Sequence, residues 1–564
     1  MKRHLLVALA ALLPFVIPCA DLEAFVVGGN LSYEKVVYKR GGTSGYTAQA
    51  PLSGALIRVL QSTGAGDSLF TRETDSSGSF SIDSELDLNG QTSFDLQVEA
   101  RTVAEINSRP SVACGSGADF PDGEPAFISG VYTHSLGSFA AAQTLALTIS
   151  KNEDSGAFNI FSQLQRGRDF ILAKLAGNSY SHAIQAVWPA SSTQFDPDNF
   201  LMGIQSRFSD PDEFDDDIIL HEFGHLTVEE FSVDDSEGGL HSITDLVDLR
   251  LSWSEGLATF ISCAIRNDPL NIDSLGDEPD SPSSLTYSLA APSAEGVGTE
   301  NEWAVGYVLW QAFQDSGGGS EVFQSLVRFK GLNLMVGGIP VTAESEQITM
   351  DTFHDVWADV APAYDLGVYY LDRAMSYQED SLSASSAALP TVISSLAAPY
   401  VVSALTFYSH GDKDYFSFAA TAGKSYEIET ALCKNGALTK INLYKGSVSP
   451  SFLVASNAQR FELATDDTSY IFYTASETGN LIAEVERFAS SSKNYGLDVS
   501  TYQTSSYTKT AGRYGSYSFA VNEATGGSAD PTHTNIQGDS FTVPTTSDFF
   551  SSVVGGGGGG CFIR

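Results

Sequence analysis

The sequence predicts a multidomain protein with an N-terminal β-sandwich, a central α-rich (α+β) domain and a C-terminal β-sandwich. Short alternating apolar runs separated by turn residues fill the chain before about residue 150 and after about residue 395. Between these regions, apolar residues recur at helical spacing. The 564 residues suffice for three or four domains at about 150 residues each. The 42% hydrophobic content excludes a wholly disordered chain.

Residues 1–20 have the pattern of a secretory signal peptide. Lys2 and Arg3 precede an apolar run from Leu5 to Ile17, and the small residues Cys19 and Ala20 follow it. This run is too short to span a bilayer comfortably, and no longer uncharged apolar run follows it. We therefore expect a secreted or cell-surface protein without a transmembrane segment.

The excess of acidic over basic residues limits the kinds of molecule that this protein can bind. Thirty Lys and Arg against 69 Asp and Glu give a net charge of −39 at pH 7. Such a surface repels a phosphate backbone, and the sequence contains no compensating basic patch. These observations exclude a nucleic-acid partner and fit a soluble acidic surface.

Residues 24–150 are predicted to form an N-terminal β-sandwich accessory domain. The runs 55–60 and 94–98 have strand character, and the turn from Asp75 to Gly78 joins two alternating strands. The segment 52–82 resembles the carboxypeptidase-regulatory-like β-sandwiches, which are accessory modules. The sequence leaves open whether this domain is a removable prodomain or a permanent module.

Residues 155–385 are predicted to form the central domain. An amphipathic helix begins near residue 155, with Ala157, Ile160, Phe161 and Leu164 at helical spacing. Further helical patterns cover 216–231, 252–266, 302–315 and 351–375.

Residues 395–500 are predicted to form the C-terminal β-sandwich. The segments 414–418, 425–429 and 481–485 alternate with period two between glycine-containing turns. The segment from Gly411 to Phe418, followed by Thr421-Ala422-Gly423, resembles the bacterial pre-peptidase C-terminal β-sandwich. That resemblance implies a module that accompanies secreted peptidases.

The last part of the chain is rich in small residues. Residues 501–554 form a Ser/Thr/Gly-rich extension that either completes the last sandwich or forms a stalk. Residues 555–564 consist of a glycine run, a flexible linker by composition, that ends in Cys561-Phe562-Ile563-Arg564. This tail resembles those of bacterial exported proteins and implies envelope attachment through the terminal cysteine; a disordered end is the alternative.

The most informative motif is His221-Glu222-Phe223-Gly224-His225. Histidines four residues apart project from one face of a helix, about one turn apart. This spacing suits two nitrogen ligands of a tetrahedral Zn²⁺, and Glu222 then lies where it can take a proton from water at the metal. The arrangement resembles the HExxH helix of zincin metallopeptidases. The alternative is a surface helix with two ordinary histidines.

A catalytic zinc site needs a third protein ligand. Val228 and Phe231 stand where a metzincin would carry Gly and His, so that class is excluded. Glu255, which lies within Ser252–Phe260, is the predicted third ligand. The pair of motifs resembles the gluzincin metallopeptidases, which implies a zincin-like fold with Zn²⁺ held by His221, His225 and Glu255.

Two features depart from the thermolysin-like gluzincins. Thr259 stands where those enzymes carry an Asp that orients a ligand histidine, so we expect this role to fall to Asp245 or Asp248. The interval 226–254 between the two motifs is also longer than in the best-known gluzincins, which indicates an outlying family.

Two more residues are candidates for catalysis. His241 follows Gly238-Gly239-Leu240 on the intervening loop. It is either a rival third ligand, a donor to the substrate oxyanion or an ordinary loop histidine. Tyr307 lies on the predicted helix after Glu255, where its hydroxyl either stabilises the oxyanion or packs in the core. His354 is expected to be structural.

The sequence therefore predicts a zinc metallopeptidase that acts on protein or peptide substrates, binds no nucleic acid and functions as a monomer. Glu222 is the expected general base. One alternative is a surface binding or adhesion protein with a residual zincin domain. Another is a structural zinc domain, which a fourth ligand such as His241 would favour.

Overall fold

In the computed structural model, the described residues form eight β-sheets and seven α-helices. Within the described ranges, no helix combines the length and apolarity needed to cross a bilayer. The predicted signal peptide, the glycine-rich tail and most of the extension lie outside the described residues. The residues that the structure describes are 25–37, 46–61, 68–84, 93–101, 110–115, 128–140, 143–206, 211–236, 238–239, 241–275, 283–336, 339–342, 347–382, 385–458, 468–488, 494–495, 507–508 and 512–524.

Two sheets dominate the N-terminal region. One sheet has the order β10-β1-β2, with β5 also paired to β1, and the other has the order β4-β3-β6-β9. Alternate residues of the strands, such as Val27 and Leu31 in one sheet and Ile57 and Val59 in the other, are fully buried in a common core. The ten strands are β1 Phe25–Val37, β2 Tyr46–Pro51, β3 Leu56–Gln61, β4 Ser68–Glu73, β5 Ser79–Ser84, β6 Ser93–Glu99, β7 Pro110–Gly115, β8 Ile128–Val131, β9 Thr133–Ala140 and β10 Gln143–Ile149.

Strands β7 and β8 leave this pair of sheets and join the sheet of the central region. That sheet has the order β12-β13-β11-β7-β8, and β7 runs parallel to β11. Its other strands are β11 Ile184–Ala190, β12 Gln194–Asp196 and β13 Leu201–Gln205. The predicted boundary between the first two domains, near residue 150, therefore does not separate the sheets. Pairing between distant strands leaves no local pattern that would have revealed this.

The central region contains all seven helices. They are α1 Ser155–Lys174, α2 Asp216–Phe231, α3 Leu249–Arg266, α4 Glu302–Asp315, α5 Glu321–Lys330, α6 Met350–Val360 and α7 Gly367–Asp372. Two hairpins lie between them, formed by β14 Leu270–Leu275 with β15 Ser283–Ser288 and by β16 Asn333–Val336 with β17 Ile339–Thr342. The single helical pattern predicted for 351–375 is two helices, because α6 ends at Val360 before Pro362.

Helices α2, α3 and α4 pack closely because small residues lie where they meet. A Cβ atom added to Gly224 of α2 would lie 2.9 Å from the Cα atom of Ala258 in α3. A Cβ atom on Gly256 of α3 would lie 2.6 Å from the carbonyl oxygen of Glu302 in α4. Larger side chains at these positions would prevent the close approach of the three helix backbones. Because the helices are so close, side chains from neighbouring helices can contact one another.

The C-terminal region is a β-sandwich with the sheet orders β18-β20-β25-β22-β23 and β19-β28-β21-β24. Phe416 and Phe519 stack across its core with ring centroids 3.9 Å apart. Its strands are β18 Thr391–Ile393, β19 Tyr400–Thr406, β20 Lys413–Ala420, β21 Ser425–Lys434, β22 Thr439–Lys445, β23 Leu453–Asn457, β24 Tyr470–Thr474, β25 Gly479–Arg487 and β28 Ser516–Glu523, whereas β26 Asn494–Tyr495 and β27 Tyr507–Thr508 form a separate two-stranded sheet. Because β28 lies between β19 and β21, the sandwich continues beyond its predicted end at residue 500 into the predicted extension.

Buried polar contacts join this sandwich to the helical region. The Asn435 side chain accepts a hydrogen bond from the backbone N–H of Thr299 and donates one to the carbonyl oxygen of Ala374. Arg513 forms an ion pair with Asp355 of α6, in which both side chains are buried. The two regions therefore share an interface that contains buried hydrogen bonds and a buried ion pair.

Three carboxylates meet near the start of the same sandwich. Potential ligand oxygens of Asp380, Asp412 and Asp414 lie within 4.8 Å of one another. Burial raises the pKa of Asp414, and the charges of the other two carboxylates raise it further. A hydrogen bond from the hydroxyl group of Tyr517 opposes this rise, and the net result is a pKa of about 7. Burial and the charge of Asp380 likewise raise the pKa of Asp412 to about 6.

These shifts predict how stability changes with pH. Because the pKa of Asp414 is higher in the folded chain than its ordinary value of 3.8, the folded state binds the proton more tightly than the unfolded state. Stability should therefore fall as the pH rises from about 4 to about 7. Asp414→Asn cannot ionise, so it should become more stable relative to the wild type as the pH rises. We expect the difference in free energy of unfolding, variant minus wild type, to be at least about 1.4 kcal/mol larger at pH 8 than at pH 4.

Chemical denaturation of both proteins at the two pH values measures this difference. Asp198→Asn, which changes an exposed carboxylate, is the matched control and should show no such trend. A stability difference for Asp414→Asn that is the same at pH 4 and pH 8 would contradict the prediction.

Candidate metal centre

The beginning of helix α2 is fixed by acidic residues. The Asp215 side chain caps the helix by accepting hydrogen bonds from the backbone N–H groups of Asp217 and Ile218. Asp217, in the first turn, forms an ion pair with Arg266 near the end of α3. The acidic run before the histidines thus matches the positive end of the helix, and it also ties α2 to α3.

The structure brings His221, His225 and Glu255 together. The Nε2 atoms of the two histidines are 3.1 Å apart, and Oε2 of Glu255 is 3.2 Å from Nε2 of His221 and 3.4 Å from Nε2 of His225. With Zn–ligand bonds of about 2.0–2.1 Å, tetrahedral coordination places neighbouring donor atoms about 3.3–3.4 Å apart. The three side chains are buried, and two nitrogens with one carboxylate oxygen form a donor set that fits zinc.

The charges within this group depend on one another. Burial acts to raise the pKa of Glu255, but the positive charges of His241 and His225 overcome it and hold that pKa well below its ordinary value. Burial acts to lower the pKa of His225, but the Glu255 carboxylate raises it to about 9. The raised pKa of His225 thus reflects the negative charge of the buried carboxylate, a charge that a divalent cation would also balance.

Each of the two candidate ligand histidines has a hydroxyl group beside its other ring nitrogen. The Thr259 hydroxyl lies 3.1 Å from Nδ1 of His221, and the Ser254 hydroxyl lies 3.4 Å from Nδ1 of His225. The position where thermolysin-like enzymes carry an Asp therefore still contacts a ligand, although through a threonine.

The acidic residue that lies close to the candidate ligands is neither Asp245 nor Asp248, the two predicted from the sequence. Asp245 accepts a hydrogen bond from the backbone N–H of Ser242, and Asp248 caps helix α3 by accepting one from Arg250. The carboxylate that approaches the site is Asp234, which accepts a hydrogen bond from the hydroxyl group of Ser254. The expectation for Asp245 or Asp248 was wrong, because both residues satisfy nearby backbone groups instead.

Glu222 lies on α2 directly after the first histidine, with 0% of its surface exposed. The backbone N–H of Phe195 lies near its carboxylate, but neither oxygen accepts a hydrogen bond of normal geometry from the described residues. Burial raises its pKa, with a further rise from Glu255, while His221 and His225 oppose the shift. A buried carboxylate without a side-chain partner is rare in proteins, and this one lies on the helix that carries two of the candidate metal ligands.

His241 lies beside this group. Its Nε2 atom is 3.6 Å from Oε2 of Glu255 and 3.2 Å from Oε2 of Glu302, and its Nδ1 atom is 3.0 Å from the carbonyl oxygen of Gly239. Burial acts to lower the pKa of His241, but Glu302 and Glu255 raise it to about 10. No pattern in the sequence points to Glu302, because a single acidic residue at the start of a helix has no distinctive spacing.

The described contacts of Tyr307 are made with α7 and the residue after it. Its ring packs edge-on against Tyr369, and the Arg373 guanidinium lies 5.1 Å from the ring centroid. Burial and a hydrogen bond with Asp372 raise its pKa to about 12. These contacts do not link Tyr307 to the candidate ligands, so its oxyanion role stays a prediction.

His354 packs among aromatic rings, as expected for a structural residue. It stacks on Tyr377 with ring centroids 4.3 Å apart. Burial lowers its pKa to about 4, so the ring is neutral at physiological pH.

Comparison with known proteins gives limited similarity. No family model and no curated protein matches the chain. Among solved structures, a periplasmic inhibitor of g-type lysozyme from Aeromonas hydrophila is 12% identical, with 24% of this chain and 96% of that chain covered, at a TM-score of 0.16. The pre-peptidase C-terminal domain of a collagenase from Bacillus anthracis is 14% identical, with 24% and 94% covered, also at 0.16. Such low TM-scores carry no argument about this chain, so function must be argued from the site.

Proposed function

We propose that this protein is a zinc-dependent metallopeptidase of the gluzincin type, with a zincin-like central domain. The observation that carries the proposal is the convergence of His221, His225 and Glu255 at separations suited to zinc, beside the unpartnered carboxylate of Glu222. The signal-like residues 1–20 support a secreted or cell-surface location. The substrate is proposed to be a protein or peptide.

In this proposal, the residues have distinct tasks. His221, His225 and Glu255 hold the zinc ion, which when bound supplies a Lewis acid that polarises the scissile carbonyl and makes water a stronger acid. Glu222 takes a proton from the attacking water and later gives it to the leaving nitrogen. Its buried carboxylate favours this role, because neither oxygen is engaged by another side chain among the described residues.

His241 is proposed to orient Glu255. Both of its ring nitrogens already face acceptors, since Nδ1 lies near the carbonyl oxygen of Gly239 and Nε2 near Glu302. A donor role toward the substrate oxyanion would require Nε2 to leave Glu302. In the observed position, the imidazole balances the two carboxylates between which it lies.

A closed structural zinc site is the second candidate. The observation that favours it is the 3.6 Å separation between Nε2 of His241 and Oε2 of Glu255, which makes His241 available as a fourth ligand. Glu222 tells against this function, because a structural site has no need for a buried carboxylate without a partner.

Metal analysis combined with a hydrolysis assay tests the proposal. We expect purified protein to contain about one zinc per chain and to degrade casein. Removal of the metal with a chelator should stop degradation, and added Zn²⁺ should restore it. Bound zinc with no hydrolysis of casein or of a peptide library would favour the structural site, whereas protein that binds no zinc would contradict both.

A further inference from the structure

The second ligand histidine is connected to an acidic residue through a serine. Ser254 lies on α3 immediately before Glu255, and its hydroxyl group donates a 2.6 Å hydrogen bond to Oδ2 of Asp234. The same hydroxyl oxygen lies 3.4 Å from Nδ1 of His225. Asp234, which follows the end of α2, is held in place because its Oδ1 atom accepts a hydrogen bond from the backbone N–H of Ser236.

The direction of these hydrogen bonds follows from counting protons. A serine hydroxyl has one hydrogen, and Ser254 gives it to Asp234. Its oxygen can therefore only accept a hydrogen bond from His225, so the imidazole must carry a proton on Nδ1. In the neutral ring, Nε2 then has the free lone pair, and Nε2 is the atom that faces His221 and Glu255.

We propose that Asp234 and Ser254 are positioning residues that hold His225 in the tautomer and orientation required to bind the metal through Nε2. This inference rests on the proposed function. It assigns to a carboxylate–hydroxyl pair the task that a directly bonded carboxylate or carbonyl performs at most zinc-binding histidines. Because Ser254 adjoins Glu255 on α3, the pair also couples the second histidine to the helix that carries the third ligand.

The central variant is Ser254→Ala, which removes the hydroxyl group and leaves Nδ1 of His225 without its acceptor. The matched control is Ser252→Ala on the same helix, whose buried hydroxyl donates to the carbonyl oxygens of Thr299 and Leu249 rather than to a histidine. Competition with a chromophoric chelator measures zinc affinity, and the visible absorption of the Co²⁺-substituted protein reports the coordination geometry.

We expect zinc affinity to fall about 10–100-fold in Ser254→Ala, with an altered Co²⁺ spectrum, while Ser252→Ala keeps the wild-type affinity and spectrum. Asp234→Asn should weaken binding in the same direction. If the two residues act as one unit, the double variant should lose no more than Ser254→Ala alone. Ser254→Thr, which keeps a hydroxyl group, should recover most of the affinity.

The outcomes separate this inference from the proposed function. Wild-type protein that binds neither Zn²⁺ nor Co²⁺ would overturn the proposed function. Wild-type protein that binds zinc, with unchanged affinity and spectrum in Ser254→Ala, would overturn the positioning role alone. An equal loss in Ser252→Ala would do the same, because it would show a general effect of deleting a buried hydroxyl group from α3.

Discussion

Glu222→Gln should abolish hydrolysis and leave the metal bound. The amide has nearly the shape of the carboxylate but cannot accept the proton of the attacking water, so we expect the rate to fall about 10²–10⁴-fold. Zinc content should stay close to that of the wild type, because Glu222 is not among the three proposed ligands. The measurement is casein or peptide degradation by the variant, with zinc determined on the same preparation.

Glu229→Gln is the matched control for this substitution. Glu229 lies on the same helix and is partly exposed, so its substitution makes the same chemical change away from the site and should leave hydrolysis intact. Hydrolysis at the wild-type rate by Glu222→Gln would show that another group is the base. Loss of zinc from that variant would show that Glu222 acts as a ligand instead.

Glu255→Ala should lose the metal. Removal of the third donor leaves two imidazoles, and the loss should exceed the 10–100-fold cost of removing an outer partner of a ligand; we therefore expect zinc affinity to fall by more than about 100-fold. Hydrolysis should disappear with the zinc. Chelator competition and metal analysis after dialysis measure the effect, and Glu295→Ala, at an exposed position before α4, is the control.

Full zinc occupancy in Glu255→Ala would overturn the assignment of the third ligand. His241 would then be the replacement, because its Nε2 atom is already 3.6 Å from Oε2 of Glu255. The double variant Glu255→Ala with His241→Ala would decide the matter, since it should then lose the zinc that the single variant retained.

The sequence predicted those parts of the molecule that have a local signature. The spacing of His221 and His225 depends only on the geometry of one helix, and the pattern of small residues around Glu255 anticipated the close approach of α3 to α2. The helical and strand periodicities likewise follow from burial of one face. These features could be predicted because each depends on residues that are neighbours along the chain.

Other parts depend on contacts between distant residues. Asp234 reaches the site through Ser254, and Glu302 reaches it from the start of α4, yet neither position differs in pattern from an ordinary surface acid. Asp245 and Asp248 appeared equally suitable from the sequence, but nearby backbone N–H groups bind them first. Long-range pairing also placed β28 within the C-terminal sandwich, where the composition of the chain left open whether this segment completes the sandwich or forms a stalk.

The parallel pairing of β7 with β11 has a consequence for maturation. Along the chain, β7 and β8 lie between strands β6 and β9 of an N-terminal sheet, yet they form one side of the central sheet. The other side of that sheet is β12, which contacts α2. Proteolytic release of the N-terminal residues would strip two strands from that sheet and leave the backbone groups of β11 exposed along one edge. The proposed peptidase is therefore expected to retain this region, and a shortened protein that begins near residue 150 should aggregate.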